Sequence, residues 1–216
     1  TSGSGRARSV RLNTVGKPIP GCEIRLSPEG EILARGPNVF REYLNKPEKT
    51  AEAIGNGWLH TGDVGRFEDD GSLRIVDRLK DIIITAGGKN ITPSEIENQL
   101  KFSAYISDAV VIGDRKPYLT CLIMLDHENV AKYAQEKGVP FSNFASLARA
   151  PEVVQLIDGE VARVNTQFAR VEQIKQFRII DRVLTPEDEE ITPTMKLKRK
   201  FVHEKFADLI AGMYRG

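Results

Sequence analysis

The run from Val76 to Glu97, VDRLKDIIITAGGKNITPSEIE, constrains the fold of this chain more than any other stretch. It places a strand-like segment, Asp81 to Thr85, directly before a pair of glycines. Thr92-Pro93-Ser94-Glu95 then has the capping-box order, with proline at the first helical position and glutamate three residues after the threonine. A strand, a glycine turn and a helix start within so few residues predict a domain of mixed α and β structure.

The residues before this run predict a small antiparallel β unit. Two alternating runs, CEIRL and EILAR, flank Ser27-Pro28-Glu29-Gly30, which supplies the turn residues of a hairpin. A second hairpin is predicted where GRFED and SLRIV flank Asp70-Gly71. A short helix is expected between the hairpins, around Lys46 to Ala53. We place this β unit at residues 14–77 and interpret residues 1–13, rich in Gly, Ser and Arg, as a loop or frayed terminus.

Residues 78–216 predict a compact α+β domain, so the predicted fold class is α+β with a small antiparallel β subdomain first. Strands are expected at Ala109 to Gly113, at Leu119 to Leu125 and at Phe177 to Val183. From Pro151 onward, apolar residues recur at helical spacing and predict a long amphipathic helix with Val153, Ile157, Val161, Val164, Phe168 and Val171 on one face. A terminal helix is expected to carry an apolar stripe of Phe206, Leu209, Ile210 and Met213.

Composition narrows the class of protein. The 216 residues are 40% hydrophobic and 28% charged, which excludes wholesale disorder. No apolar run approaches the roughly 20 residues that span a bilayer, and no secretory signal opens the sequence. A net charge of +1 offers no general attraction to nucleic acid, and the three histidines lack metal-ligand spacing. Cys22 and Cys121 lie in strand-like runs and are interpreted as reduced core thiols, which favours a cytoplasmic location.

Asp63 ends the segment WLHTGD and is a candidate ribose contact. A carboxylate on a glycine turn accepts hydrogen bonds from two vicinal hydroxyls, although a Gly-Asp pair alone is more typical of an Asx turn. Arg78 follows fifteen positions later, and its guanidinium is a fork of donors that can reach the same ribose. The combination, rather than either residue, indicates nucleotide binding.

Gly87-Gly88-Lys89-Asn90 is a second glycine-rich loop, between the strand-like segment and the predicted helix start. Paired glycines let a backbone approach a ligand closely, and they equally suit a plain hairpin turn. The loop lacks the G-x-x-x-x-G-K-[ST] spacing of a Walker motif. Its role is therefore open between a ligand-facing loop and a turn.

The segment Lys196-Leu197-Lys198-Arg199-Lys200 places four cations in five positions. Such a run is usually the solvated start of a helix. Cations at a helix N-terminus oppose the macrodipole by about a few tenths of a kcal/mol each, so the placement indicates a further use. A phosphate partner would supply one.

Four motifs stand in order along nearly the whole chain: the GxPxPG turn at Gly16 to Gly21, WLHTGD, DRLKD with IITAGGKN and TPSEIE, and PTMKLKRK. Together they resemble the C-terminal portion of long-chain fatty-acid–CoA ligases, which belong to the adenylate-forming superfamily. The resemblance implies that residues 14–77 end the large adenylating domain and that residues 78–216 form the mobile C-terminal domain. It implies a reaction in which ATP activates a fatty acid to acyl-AMP and CoA then takes the acyl group.

The resemblance also assigns roles to single residues. Asp63 matches the aspartate that holds the adenosine ribose, and Arg78 matches the arginine that assists it. Lys80 takes the hinge position about which the C-terminal domain rotates between half-reactions. The loop Gly87-Gly88-Lys89 matches the loop that approaches the pantetheine arm of CoA.

Lys196 matches the lysine that catalyses adenylation. Many members of the superfamily have glycine before that lysine, whereas this chain has Met195, and Lys198 is the competing candidate. Such a lysine bridges a carboxylate and the α-phosphate of ATP and stabilises the charge that develops there. The alternative function is a non-enzymatic interaction or regulatory module whose basic segment 196–200 contacts acidic partners or lipid headgroups.

The implied substrates are a fatty acid, ATP and CoA, with Mg²⁺ as a cofactor. The resemblance allows peripheral contact with a membrane and implies no oligomeric state. The TSGTTGxPKG-type phosphate loop that such enzymes need, and the acidic motif that follows it, do not occur in these residues. We therefore expect this stretch alone to be catalytically inert and the Mg²⁺ ligands to lie in another part of the enzyme.

Overall fold

The computed structural model describes residues 12–184, 187–188, 192 and 197–215. The chain divides into two compact units, of which the first ends at Asp81 and the second begins at Ile82. The domain boundary predicted after Asp77 lies a few residues before this division. The predicted terminal loop at residues 1–13 lies outside the described residues except for its last two positions.

The first unit is an antiparallel sheet with one short helix. Its elements in chain order are β1 (Glu23–Leu26), β2 (Glu31–Arg35), α1 (Pro47–Ala53), β3 (Ile54–Gly55), β4 (Trp58–Phe67) and β5 (Leu73–Arg78). The long strand β4 pairs with β2 along one side, and along its other side it pairs first with β3 and then with β5. The two hairpins and the helix predicted for this region are confirmed.

Strand β4 is irregular at its centre, where the register against β5 shifts between Val64 and Gly65. A β-carbon at Gly65 would lie 2.9 Å from the Arg74 carbonyl oxygen and 2.7 Å from Ile32 Cδ1, so this close approach requires glycine. Irregularities of this kind re-aim the neighbouring side chains of a strand. The shift lies directly after the WLHTGD segment.

The second unit combines a three-stranded sheet with helices on both faces. Its elements are β6 (Ile83–Ile84), β7 (Asn90–Ile91), α2 (Pro93–Leu100), β8 (Ile106–Ile112), β9 (Leu119–Leu125), α3 (His127–Glu136), α4 (Phe144–Arg149), α5 (Pro151–Asn165), β10 (Ile174–Ile179), α6 (Arg199–Lys205) and α7 (Ala207–Gly212). The sheet order is β10-β9-β8, in which β8 and β9 form the predicted antiparallel pair and β10 joins β9 in parallel. Strands β6 and β7 form a separate hairpin. The predicted α+β fold class is confirmed.

Both faces of the three-stranded sheet are buried. Alternate residues of β8 and β9 point to opposite sides, so each face has its own set of packed residues. One face packs against α2, α3, α4 and α5 through the sheet residues Ala109, Val111, Cys121, Ile123 and Leu125. The other face packs against α6 and the end of α7, where the sheet residues Val110, Ile112, Leu122 and Met124 meet Val202, Ile210 and Met213. Strands that are buried on both faces have continuous apolar sequences, which explains the dense Val, Ile and Leu content of these two.

Helix α2 begins at Pro93, as the Thr-Pro-Ser-Glu order predicts. The capping differs from the prediction, because the Thr92 side chain makes no capping hydrogen bond to the described residues of the helix. Proline at the first position needs no amide partner and still favours a helix start there. The prediction was therefore right about the start of the helix and wrong about the threonine cap.

The helix predicted from Pro151 to Val171 is shorter than expected. It ends at Asn165, whose side chain donates to the Ile174 carbonyl and accepts from the Ile174 amide, at 2.9 Å in both cases. These two hydrogen bonds engage the Ile174 backbone as a neighbouring strand would, and β10 begins at Ile174. The strand predicted at Phe177 to Val183 is therefore real but starts and ends earlier.

The predicted terminal helix is divided in two. Phe206, with φ −106° and ψ 24°, lies between α6 and α7. Of the predicted apolar stripe, Ile210 and Met213 are buried, whereas Leu209 is 38% exposed. No helix in the described ranges is long and apolar enough to cross a membrane.

Gly113, directly after β8, offers a test of this packing. A β-carbon there would overlap Leu119 Cδ2, which belongs to a fully buried side chain. We expect Gly113→Ala to lower the free energy of unfolding by about 1–3 kcal/mol, because overpacking forces the neighbours to shift. Urea unfolding of the 216-residue chain measures this change.

The matched control is Gly159→Ala in α5, where a β-carbon would meet no described atom within 4 Å. Alanine in the middle of a helix is favoured over glycine by about 0.5–1 kcal/mol, so this variant is expected to be slightly more stable. Equal losses of stability at both positions would contradict the packing argument.

Candidate functional site

Asp63 and Arg78 meet across strands β4 and β5. They are register partners, and Arg78 Nε lies 2.8 Å from Asp63 Oδ1. The arginine side chain is 59% exposed and the aspartate side chain 28% exposed, so both groups are accessible to a ligand. A carboxylate and a guanidinium held side by side can accept from and donate to the hydroxyls of one ribose. The structure thus brings together the two residues that the sequence singled out for a nucleotide.

The backbone that leads into Asp63 is held by Glu31, a residue that sequence analysis missed. Glu31 lies on β2, beside β4, and is 7% exposed. Its Oε1 accepts a hydrogen bond from the Gly62 amide at 2.9 Å, and its Oε2 lies 2.9 Å from His60 Nδ1. Because a carboxylate only accepts, His60 is the donor in this pair. The sequence signal for Glu31 was weak, since an acid after a turn glycine is common on protein surfaces.

Thr61 holds the same backbone through its hydroxyl group. The hydroxyl donates to the Ile32 carbonyl at 2.7 Å and accepts from the Asp63 amide at 3.1 Å. Gly62 has φ +70°, a left-handed conformation that glycine adopts without steric cost. Asp63 is therefore a strand residue whose carboxylate faces Arg78, rather than the centre of an Asx turn.

Lys80 lies in the 3-10 turn Leu79–Asp81, the last described element of the first unit. The residue is exposed. Short 3-10 turns are common connectors between other secondary-structure elements. The position of Lys80 beside the division of the chain is compatible with a hinge, and the hinge role stays a prediction.

The paired glycines lie at the tip of the β6–β7 hairpin. Gly87, Gly88 and Lys89 are all exposed, and Gly88 has φ +76°. Thr85 closes the turn, because its amide donates to the Lys89 carbonyl at 3.1 Å and its hydroxyl accepts from the Lys89 amide at 3.2 Å. A β-carbon on Gly88 would meet no described atom within 4 Å, so space beside this loop is open.

The hairpin is fixed to the turn between β8 and β9. The Ile84 amide donates to Asp114 Oδ1 at 3.2 Å, and the Ile84 carbonyl accepts from the Arg115 amide at 2.8 Å. The Ala86 amide donates to the Lys116 carbonyl at 3.0 Å. The exposed glycines therefore stand on a fixed base, which is the usual arrangement of a functional loop.

Lys196 lies outside the described residues, which resume at Leu197. Lys198 directly precedes α6, and its Nζ lies 5.3 Å from the centre of the Phe201 ring, within the range of a cation–π contact. Arg199 points its guanidinium into the domain instead of towards solvent. The side chains of the basic segment are therefore not all exposed to solvent.

Arg199 is held by Glu97, a second buried acid that sequence analysis did not single out. Arg199 Nη2 donates to Glu97 Oε1 at 2.7 Å, and Nη1 donates to the Val111 carbonyl at 2.8 Å. The same Glu97 oxygen accepts from the Val111 amide at 2.7 Å.

The two charges of this pair act on nearby titratable groups. Burial raises the pKa of the Cys121 thiol, and the Glu97 charge raises it further. Burial lowers the pKa of His203, and the Arg199 charge lowers it further.

The candidate residues fall into two groups, one in each unit. The first group contains Asp63 and Arg78 in contact, with Lys80 a short distance along the chain. The second group contains the glycine hairpin and the basic segment that resumes at Leu197. Within the described part of the chain, no three His, Cys, Asp or Glu side chains converge as ligands for a metal ion.

Comparison with known proteins identifies the family. Residues 80–216 match the family model described as AMP-binding enzyme C-terminal domain. The chain is 44% identical over 209 residues to a Mycobacterium tuberculosis protein named as a fatty-acid–CoA ligase, fadD11. It is 42% identical over 206 residues to the long-chain-fatty-acid–CoA ligase FadD15 of the same species. These alignments cover 96% and 95% of this chain but 36% and 34% of the relatives, so the chain spans about a third of their length.

Solved structures share the fold. The o-succinylbenzoate CoA synthetase MenE from Bacillus subtilis, in complex with ATP and magnesium ion, is 27% identical with a TM-score of 0.60, over 88% of this chain and 35% of that one. The adenylation domain of a carboxylate reductase from Mycobacterium chelonae is 20% identical with a TM-score of 0.72, over 93% of this chain and 32% of that one. The family model and the two M. tuberculosis relatives confirm the resemblance seen in the four sequence motifs. Because the family model covers most of the chain, the protein belongs to the AMP-binding enzyme C-terminal domain family.

Proposed function

We propose that the chain is the C-terminal part of an AMP-forming acyl-CoA synthetase that activates a long-chain fatty acid with ATP and transfers it to CoA. The Asp63–Arg78 pair, seated on the backbone that Glu31 holds, is the observation that carries the proposal. A ribose offers two adjacent hydroxyls, and the pair supplies an acceptor and a donor for them. The names of the relatives favour a fatty acid as the carboxylate substrate.

The proposed reaction has two steps. A carboxylate oxygen of the fatty acid first attacks the α-phosphorus of ATP, and acyl-AMP forms as pyrophosphate leaves. The CoA thiolate then attacks the acyl carbonyl, and the thioester forms as AMP leaves. Negative charge develops at the α-phosphate in the first step, and a lysine ammonium beside it stabilises this charge. We assign this role to Lys196.

The two steps need different groups at one reaction centre, which favours a domain that presents one element and then another. We assign the hinge of this movement to Lys80, in the 3-10 turn beside the division of the chain. We assign the CoA contact to the loop Gly87-Gly88-Lys89, whose open surroundings suit the approach of a narrow pantetheine arm. In this proposal residues 14–77 end the adenylating domain and residues 78–216 form the mobile domain.

The proposed enzyme uses Mg²⁺ with ATP, as the solved complex of MenE with both suggests. The described residues of this chain offer no cluster that fits the ion, so we propose that its ligands belong to another part of the enzyme. The phosphate loop is assigned to that same part, and the 216-residue chain alone is expected to be inactive. We propose a cytoplasmic location that allows peripheral contact with a membrane.

The alternative, a non-enzymatic interaction module, depends on the basic segment 196–200 as a contact surface. Arg199 engages Glu97 and the Val111 carbonyl in the interior, and Lys198 lies beside the Phe201 ring. These two cations are therefore partly engaged within the domain. Their engagement favours the enzyme over the interaction module.

The direct test uses the full-length enzyme that carries this chain, incubated with ATP, Mg²⁺, CoA and a series of fatty acids. We expect acyl-CoA and AMP in equal amounts by mass spectrometry, and no acyl-AMP from the 216-residue chain alone. Acyl-AMP without acyl-CoA would indicate a different acceptor. No AMP from any fatty acid would favour the interaction module.

Lys196→Ala in the full-length enzyme tests the lysine assignment. We expect acyl-AMP formation to fall about 100- to 1,000-fold, as for other losses of a transition-state charge partner, while thioester formation from supplied acyl-AMP largely survives. Lys200→Ala is the matched control, because the Lys200 side chain is 81% exposed and its Nζ lies 3.9 Å from Glu204 Oε1. A larger loss of adenylation in Lys198→Ala than in Lys196→Ala would transfer the role to Lys198.

Lys80→Pro in the full-length enzyme is expected to impair mainly thioester formation, whereas Lys196→Ala is expected to impair mainly adenylation. Proline restricts backbone rotation at the proposed hinge, so thioester formation should slow more than adenylation. The same two rate measurements apply to this variant. Equal slowing of both steps would place the hinge at another residue.

Asp63→Asn tests the ribose contact. We expect ATP to bind about ten- to a hundredfold more weakly, because a hydrogen bond to a charged acceptor is lost. Glu31→Gln is expected to weaken ATP binding less, since it disturbs the Gly62 backbone and leaves the Asp63 carboxylate in place. Asp69→Asn is the matched control, because Asp69 is an exposed turn residue after the same strand. Equal weakening in Asp63→Asn and Asp69→Asn, measured by calorimetry, would point to net charge instead of a ribose contact.

A further inference from the structure

We propose that Glu97, Asp108 and Arg199 form a clamp that positions the basic segment 196–200 for the adenylation step, a proposal that rests on the function proposed for Lys196. The three residues are distant in sequence and meet at strand β8. None of them is assigned a contact with substrate, so they act as positioning residues.

The first half of the clamp lies at the free edge of the sheet. Strand β8 is an edge strand, and its residue Val111 exchanges hydrogen bonds with side chains. Glu97 Oε1 accepts from the Val111 amide at 2.7 Å, and Arg199 Nη1 donates to the Val111 carbonyl at 2.8 Å. Glu97 and Arg199 also bind each other at 2.7 Å. Arg199 therefore cannot turn away without removing a partner from a buried carbonyl and from a buried carboxylate.

The second half of the clamp is Asp108, which is 7% exposed. Its Oδ2 accepts a hydrogen bond from the Leu197 amide at 3.0 Å. Its Oδ1 accepts from the Ala109 amide at 2.9 Å, and Lys101 Nζ lies 3.4 Å from the same oxygen. The nitrogen that Asp108 holds is the peptide nitrogen that joins Leu197 to Lys196. The clamp thus fixes the chain from the first atom that follows Lys196.

Leu197 directly follows Lys196, so we infer that a loosened clamp also shifts the lysine assigned to adenylation. A displacement of about 1 Å in a catalytic group can cost about 100-fold in rate. The glycine hairpin is anchored elsewhere, through Asp114 and the Lys116 carbonyl on the β8–β9 turn. Loosening the clamp should therefore impair the group assigned to adenylation and leave the loop assigned to CoA in place.

The test compares Glu97→Gln and Arg199→Lys with the wild-type full-length enzyme. Glutamine removes the charge that holds the guanidinium, and lysine lacks the planar fork that reaches both Glu97 and Val111. We expect kcat for acyl-AMP formation to fall about 10- to 100-fold, with KM for ATP and for the fatty acid unchanged. Thioester formation from supplied acyl-AMP is expected to keep its wild-type rate.

The matched controls are Glu95→Gln on the same helix, where Glu95 is exposed, and Arg163→Lys on α5, where the arginine side chain is 48% exposed. Both controls are expected to keep both half-reactions. Hydrogen exchange at the amides of residues 197–202 gives a readout that does not depend on activity. We expect faster exchange in the two clamp variants and unchanged exchange in the controls.

Equal loss of both half-reactions in the clamp variants would show that the clamp supports only the fold, and this outcome overturns the proposal. Faster exchange with unchanged adenylation would overturn it as well, because the position of the segment would then not limit the rate. An active wild-type enzyme with unaffected variants overturns the clamp alone. A wild-type enzyme that forms no acyl-AMP overturns the proposed function and the role of the clamp with it.

Discussion

The second unit depends on one constraint: the apolar strand pair β8–β9 must be covered on both faces and along both edges. An apolar face requires a packing partner, and the outer backbone groups of a buried strand require hydrogen bonds. Strand β10 covers one edge by parallel pairing, and helices α2 to α5 cover one face. The other face is covered by α6 and α7, and the other edge binds Glu97 and Arg199. Val202, Ile210 and Met213, which follow Leu197 in the chain, are therefore part of the core.

Sequence patterns predicted the elements that local preferences decide. The antiparallel hairpins form around their turn residues, and β8 and β9 lie where β-branched residues are dense. Helix α5 is shorter than its apolar period because Asn165 exchanges hydrogen bonds with Ile174, a tertiary contact that periodicity does not contain. Helices α3 and α4 were missed. The capping box of α4 pairs Asn143 with Ser146, whereas the usual pattern has Glu or Gln at the third helical position.

Some residues of the candidate site were predicted from motifs, and others are recognised only once the fold is known. The order of the motifs pointed to Asp63 and Arg78, and cross-strand register places their charged atoms 2.8 Å apart. Glu31 carried no comparable signal, because a single glutamate has the same appearance in a surface sequence, and Glu97 was noted only as the last residue of the TPSEIE motif. Their partners Gly62 and Arg199 lie 31 and 102 residues away along the chain. Burial of a charged group depends on such distant partners, and a local pattern does not reveal them.

The covering of the second sheet face has a consequence for synthesis of the protein. Tyr214 donates its hydroxyl to the Ile112 carbonyl at 3.1 Å, and Met213 is fully buried against the same face. The core of this domain therefore cannot close until Tyr214 has left the ribosome. Before that moment the apolar face is open to other partly made chains, a state in which aggregation competes with folding. A nascent chain that stops before Lys196 has neither a closed core nor the lysine, so premature termination yields an incompletely folded domain instead of a folded and merely inactive one.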